Sequence, residues 1–72
     1  MLPRPLPYRE VKRKLAAGFT EVSQRGSHVK FVKQTLTGQV VAVVPKHWEV
    51  ATGTLRTVLR QAILAWDEFE QL

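Results

Sequence analysis

The sequence predicts an α+β fold with the element order α-β-β-β-α, in which both helices cover one face of a three-stranded antiparallel sheet. Three observations support it: a short basic segment with helical spacing, three β-type segments separated by turns, and a long apolar stripe at helical spacing near the C-terminus. A chain of 72 residues is enough for one small domain. We therefore expect a proline-rich N-terminal arm over residues 1–7 and a single domain over residues 8–72.

The first predicted helix follows the proline-rich arm. Three prolines among residues 1–7 exclude a regular helix or a central strand, so the arm should be extended and the fold should begin after it. Residues 8–17 then place Tyr8, Val11 and Leu15 at helical spacing among basic side chains, and a glycine follows as a helix stop. This helix should be short and basic.

Three strands are predicted in a meander. Residues 19–24 form the first, and residues 25–27 form a hairpin turn that contains glycine. Residues 28–34 alternate strictly, as expected of a strand with two different faces. After a second turn, residues 39–45 form a β-branched run that ends at a proline.

The alternation of the second strand separates a core face from an open face. Val29 and Phe31 point one way and should enter the core, whereas His28 and Lys30 point the other way. Because both helices are expected on the core side, His28 and Lys30 should share a sheet face that is left open for function.

The C-terminal part is predicted to be a loop and then a helix. Residues 46–53 form the loop, and Thr54 is the expected helix N-cap, with Thr52 as the alternative. The apolar stripe permits one helix over residues 54–72, or two helices with a kink near Ala65. The stripe consists of Leu55, Val58, Leu59, Ala62, Ile63, Trp66 and Phe69.

Charge points to a polyanionic partner. Residues 1–66 hold 11 basic and 3 acidic residues, a formal charge of +8, whereas the whole chain carries +5. Such a surface attracts nucleic acid, although a basic surface that only maintains solubility is the alternative. The absence of cysteine excludes disulfides and thiolate chemistry, and two histidines with few carboxylates argue against a metal site. With neither a membrane span nor a signal peptide, we expect a cytoplasmic protein.

Five segments resemble, in the right order, those of the HicA-type (YcfA-like) toxins of bacterial and archaeal toxin–antitoxin pairs. They are "KLAAGF", "GSHVKF", "VVP" with the His47 that follows, "GTLRTVLRQA" and "DEF". The resemblance implies a fold like the double-stranded-RNA-binding domain and a ribonuclease that cuts messenger RNA and arrests translation. It also implies a HicB-type antitoxin that covers the active site, in a hetero-oligomer, with the toxin alone a monomer or weak dimer. The essential histidine of the family corresponds to His28.

The sequence departs from the family pattern between the last two helices of the family. The family usually has a glycine and then a serine or threonine there, but this chain has Ile63 and Ala65. Because a helix stop and a cap are both missing, we expect a more continuous C-terminal helix.

The residues around His28 suit the cleavage of RNA. RNA supplies its own nucleophile, the 2′-hydroxyl, so cleavage requires a base, an acid and positive charge on the phosphate, without a metal or other cofactor. Histidine titrates near neutral pH and fits the proton-transfer role. Gly26 and Ser27 permit close backbone approach to a phosphate, and Arg25 and Lys30 add positive charge. Taken alone, the segment also fits an ordinary hairpin turn followed by a solvated histidine.

Four further residues are candidates for RNA contact. Arg56 and Arg60, four apart on the last helix, either clamp phosphates or form a solvated helix face. His47 either carries a second proton or stacks on the indole of Trp48, and Trp48 either stacks on an unpaired base or packs in the protein. As the helper of His28, Lys30 is the first choice and His47 the second.

Two other functions compete with the ribonuclease. A non-catalytic module for double-stranded RNA would bind through Lys12, Lys14 and the two helix arginines, but the last helix lacks the usual basic cluster at its start. A structural interaction protein would dock through Trp66 and Phe69, which leaves the "GSH" turn unexplained.

Overall fold

The order of helices and strands follows the prediction, with one additional short strand pair. A computed structural model describes residues 3–72. In chain order the elements are β1 (Leu6–Pro7), α1 (Tyr8–Leu15), β2 (Thr20–Arg25), β3 (His28–Thr35), β4 (Gly38–Pro45), β5 (Glu49–Val50), α2 (Thr52–Ala62) and α3 (Trp66–Glu70).

The sheet is an antiparallel meander in the order β2-β3-β4. The β2–β3 hairpin closes where Arg25 pairs with His28, which leaves Gly26 and Ser27 as its two-residue loop. The register slips between Glu21 and Ser23, so β2 contains a bulge. The sheet therefore has its central strand, β3, paired on both sides.

One sheet face carries the core, and both long helices pack against it. Val29 and Phe31 of β3 are buried in a single cluster with Val11 of α1, Leu55 of α2 and Phe69 of α3. His28 and Lys30 are exposed on the other side of β3. The predicted α-β-β-β-α layout, with both helices on one face, is confirmed.

Residues 6–7 belong to the folded unit, contrary to the expectation that the fold begins after the arm. Leu6 pairs with Val50 and Pro7 pairs with Glu49, in a two-stranded antiparallel sheet. Leu6 is buried in the core cluster, which favours ordering this part of the arm, and a proline is compatible with so short an edge strand. The first two residues of the predicted arm lie outside the described residues.

The C-terminal stripe forms two helices, so the expectation of a continuous helix was wrong and the two-helix alternative was right. α2 ends at Ala62, and Ile63 adopts the left-handed conformation at φ 56° and ψ 46°. The N–H of Leu64 donates to the Leu59 carbonyl and that of Ile63 to the Arg60 carbonyl, the pair of bonds that defines a Schellman C-cap. No helix within residues 3–72 is long and apolar enough to cross a membrane.

Burial of the C-terminal aromatic residues explains this break. The left-handed conformation costs a non-glycine residue about 1–2 kcal/mol. The break turns α3 back toward α1, where Phe69 is fully buried and Trp66 half-buried against the core. Complete burial of one phenylalanine contributes about 1.5–3 kcal/mol, so the aromatic pair outweighs the backbone cost at Ile63.

The start of α2 also differs from the prediction. Ala51, in an extended conformation, is the N-cap, and neither Thr54 nor Thr52 caps the helix, because both lie inside it. The Leu55 N–H already donates to the Ala51 carbonyl at 2.8 Å. Val50 is buried immediately before the cap, so the chain passes directly from β5 into the helix and leaves no loop long enough for a later start.

A side chain of α2 reaches the outer edge of the sheet. The Val43 backbone N–H, on the side of β4 away from β3, donates to Gln61 Oε1 at 2.9 Å. This bond fixes one flank of α2 against β4 and satisfies a strand donor that lacks a neighbouring strand.

Candidate functional site

His28 lies at one end of the sheet, between two neighbouring strands. It is the first residue of β3 and pairs with Arg25 of β2 on one side and with Pro45 of β4 on the other. Directly opposed residues of antiparallel strands point to the same face, with Cβ atoms about 4.5–5.5 Å apart. The exposed His28 side chain therefore leaves the sheet between those of Arg25 and Pro45.

The turn before His28 is held by hydrogen bonds to its carbonyl groups. Gly26 has a φ of 59°, where a side chain would be strained, although an added Cβ would meet no atom within 4 Å. Its carbonyl accepts a bond from Gln24 Nε2 at 3.0 Å, and the Ser27 carbonyl accepts one from the Lys46 N–H. Glycine is thus required here for backbone conformation and not for space.

Lys30 joins His28 and Arg25 on the open face. It follows His28 by two residues on β3, pairs with Ser23 and Val43, and is exposed. Of the predicted phosphate-binding residues, the structure brings Arg25, Gly26, Ser27 and Lys30 to the sheet end that carries His28. Two cations within one or two residue positions of the imidazole make this end of the sheet suited to an anionic group.

Arg56 and Arg60 lie elsewhere. α2 packs on the core face of the sheet, and both arginines are exposed on the side of the helix away from the buried Leu55 and Val58. Gln61, which contacts β4, is on the opposite helix flank from Arg56. The two arginines therefore form a second cationic surface, on the other side of the sheet layer from His28 and Lys30.

His47 and Trp48 line a surface cleft beside the His28 end. The segment that follows β4 is tied to the hairpin turn through the bond from Lys46 to Ser27. The cleft has a volume of about 290 Å³ and is lined by Pro7, Tyr8, Arg9, Lys46, His47 and Trp48. Tyr8 and Arg9 were not predicted as site residues, because only the folded chain brings α1 next to the segment after β4. Lys46 was also missed, although it directly precedes His47 in the sequence.

The basic side chains of α1 have partners within the protein. Lys12 Nζ lies 3.4 Å from Glu21 Oε1, and Arg13 Nε lies 2.8 Å from Glu10 Oε2. Lys14 Nζ donates to the carbonyl groups of Glu70 and Leu72 at 2.9 and 3.2 Å. These contacts weaken the interpretation of α1 as a surface for double-stranded RNA. The hypothesis of a structural interaction protein is weakened as well, because Phe69 is buried and cannot dock on a partner.

Two ionisable side chains of α1 have shifted pKa values. Burial raises the pKa of the Tyr8 phenol, and the negative charge of Glu21 raises that pKa further. The hydrogen bond from Arg13 is the main cause that lowers the pKa of the Glu10 carboxyl. Tyr8 therefore remains a neutral hydrogen-bonding group at the edge of the cleft at physiological pH.

The protein is a small α+β domain whose sheet end carries an exposed histidine between cationic side chains. Residues 8–64 match a family model described as HicA toxin of bacterial toxin–antitoxin. The match covers most of the 72 residues, and the chain belongs to the HicA toxin family. Membership of this family implies an antitoxin partner. No curated protein matches the chain.

Proposed function

We propose that this toxin is a metal-independent endoribonuclease that cuts messenger RNA and arrests translation, with His28 transferring the proton. The observation that carries the proposal is the pairing of His28 with Arg25, with Lys30 on the same open face. A proton carrier and two cations on one accessible surface are what cleavage by the 2′-hydroxyl requires. Such a toxin acts where messenger RNA is translated, in the cytoplasm.

The proposed reaction is an attack within the RNA itself. His28 takes the proton of the 2′-hydroxyl as its oxygen forms a bond to the adjacent phosphorus. The bond from phosphorus to the 5′-oxygen breaks, and that oxygen receives the proton that His28 took, so the products carry a 2′,3′-cyclic phosphate and a 5′-hydroxyl and His28 is neutral again. Lys30 and the N–H groups of Gly26 and Ser27 stabilise the extra negative charge on the pentacoordinate phosphorus.

Arg25 binds the phosphate that lies between the reacting nucleotides, because it faces His28 directly across the hairpin. Arg56 and Arg60, on the other side of the sheet layer, bind phosphates further along the RNA. Contacts of this kind fix the position of the RNA and add affinity that weakens as salt increases.

The antitoxin in this proposal is of the HicB type and covers the His28 face. Neither α1 nor α2 covers this face, where Val41 and Val43 are half-buried beside the cations. A face that combines apolar and basic groups suits an acidic protein partner with an apolar centre. Binding there would exclude RNA, so an equimolar amount of the antitoxin should stop cleavage.

Inducible expression of the toxin and of His28→Ala tests the proposal. We expect the toxin to stop growth and fragment messenger RNA, and His28→Ala to do neither while it still binds the antitoxin. Lys33→Ala is a matched surface control, because Lys33 is an exposed residue toward the far end of the same strand. Growth arrest by His28→Ala at equal protein level would contradict the proposal.

Cleavage assays with the purified toxin distinguish a metal-independent ribonuclease from the other functions. Cleavage should persist in the presence of a chelator and should stop at a site where the RNA carries a single 2′-deoxy substitution. A toxin that binds RNA tightly but leaves it intact after long incubation would instead support a non-catalytic binding module.

A further inference from the structure

The cleft next to the His28 end has a fixed backbone. The Tyr8 N–H donates to the Trp48 carbonyl at 3.3 Å, which joins the start of α1 to the segment after β4. The residue after Trp48, Glu49, pairs with Pro7 in the β1–β5 sheet. The walls of the cleft are therefore set by the fold before any ligand binds.

The indole of Trp48 is free although its backbone is held. The residue is 87% exposed, whereas Trp66, the other tryptophan, packs against the core. A large aromatic group held at the rim of a cleft presents a flat apolar surface to a ligand. Its backbone bond to Tyr8 means that little ordering of the chain is needed when that surface is covered.

The charges at the cleft select an anionic ligand. Arg9 and Lys46 line it, and none of the acidic side chains within residues 3–72 does so. A ligand that satisfies both the indole and the cations combines a flat aromatic ring with negative charge. An unpaired nucleotide has both, whereas the bases of a duplex are already stacked and do not expose a face.

The cleft is close enough to His28 for one RNA strand to contact both. Trp48 follows Pro45 by three residues, and Pro45 pairs with His28. Extended chain spans at most roughly 3.6 Å per residue and paired residues lie roughly 5.5 Å apart, so the Cα atoms of Trp48 and His28 are at most about 16 Å apart. A strand whose phosphate lies at His28 therefore has neighbouring nucleotides within reach of the cleft.

We propose that this cleft is a base-binding subsite, in which an unpaired RNA base stacks on Trp48 and Arg9 and Lys46 hold its phosphate. The proposal rests on the proposed ribonuclease function and deepens it, because it makes single-stranded RNA the substrate. It also assigns His47 to substrate binding and not to proton transfer, since His47 lines the cleft and His28 does not.

Binding of a short single-stranded oligoribonucleotide to the full chain carrying His28→Ala, which prevents cleavage, tests the subsite. Trp48→Leu should weaken binding about 5- to 150-fold, the loss expected when one base no longer stacks, and Trp48→Phe should restore most of it. An oligonucleotide of the same length without bases should bind Trp48→Leu and its parent equally. Leu36→Ala is the control, because Leu36 is fully exposed in the β3–β4 turn.

Kinetics with the otherwise unchanged toxin distinguish the two proposals. We expect Trp48→Leu and His47→Ala to raise KM for single-stranded RNA and to leave kcat within about twofold. Equal binding by Trp48→Leu and its parent, or a loss of antitoxin binding alone, would overturn the base-binding subsite. Trp48-dependent binding of an RNA that the toxin never cleaves would overturn the ribonuclease and leave the subsite intact.

Discussion

Ser27 and Lys46 are joined by a backbone hydrogen bond, from the Lys46 N–H to the Ser27 carbonyl. The bond crosses from the β2–β3 turn to the segment that follows β4. Since His28 pairs with Pro45 at the same place, the turn and this segment form one rigid end of the molecule. The position of His28 relative to the Trp48 cleft is therefore a property of the backbone and does not depend on long side chains.

If the toxin is the proposed ribonuclease, Lys30→Ala should reduce kcat/KM for RNA about 100-fold, because a cation that stabilises developing negative charge contributes about this much. Lys33→Ala removes the same charge from the same strand, away from His28, and should change kcat/KM less than about threefold. Cleavage rates measured with both variants under identical salt conditions provide the comparison. Equal losses in the two variants would show that only overall charge matters.

Gly26→Val should destabilise the protein by about 1–2 kcal/mol, because its φ of 59° places a β-branched residue in the left-handed region. Gly26→Asn should cost less, since asparagine tolerates this conformation. Urea unfolding measures both. If the valine variant were as stable as the parent protein, the turn could not have the conformation described, and its role in holding His28 would be lost.

Ile63→Gly should stabilise the protein by about 1 kcal/mol, because glycine adopts the left-handed conformation of this helix C-cap without strain. The Ile63 side chain is 74% exposed, so little packing is lost. For a domain of this size the gain corresponds to a rise in Tm of about 4–8 °C. Ile63→Ala removes most of the side chain but keeps the Cβ, and its Tm should not rise comparably.

Lys14→Met should cost about 1 kcal/mol of stability, because the ammonium group satisfies two carbonyl oxygens at the C-terminal end of α3 and lies 5.6 Å from the Phe69 ring centroid. Lys12→Met, which removes an exposed ion pair with Glu21, should cost less than about 0.5 kcal/mol. Thermal unfolding of the two variants makes the comparison. A larger effect at Lys12 would contradict this account of how α3 is held.

Tyr8→Phe should remove part of the loss of stability at high pH. Because burial and Glu21 raise the pKa of Tyr8 in the folded protein, the unfolded chain ionises this group first as the pH rises above 10.0. The contribution of the neutral phenol is fully present below that pH and is lost as the pH rises through the raised pKa. Urea unfolding at pH 8 to 11 should show a shallower decline for Tyr8→Phe, and parallel curves would contradict the shift.

The strands and their faces could be predicted because alternation is a local property. Val29 and Phe31 are buried while His28 and Lys30 are exposed, as the period of two requires. The two-residue strands β1 and β5 could not be predicted in this way, since a pair of residues has no periodicity. Leu6 is ordered by contacts that the sequence does not reveal until β5 is in place.

The break at Ile63 was hidden for a different reason. An isoleucine is a poor residue for the left-handed conformation, and the apolar stripe continues through it, so local preference favours a continuous helix. Burial of Phe69 against α1 outweighs this preference, and it depends on two segments more than fifty residues apart. The candidate site shows the same limit, because Tyr8 and Arg9 reach Trp48 only in the folded protein.

Gln61 covers part of the free edge of β4. Its amide oxygen occupies the place where the carbonyl of a fourth strand would accept the Val43 N–H. A foreign strand that approached β4 here would have to displace a side chain anchored on a packed helix before it gained its own hydrogen bond. A glutamine thus acts as a substitute strand and protects this edge against self-association, in a small protein whose apolar β-branched strand would otherwise favour it.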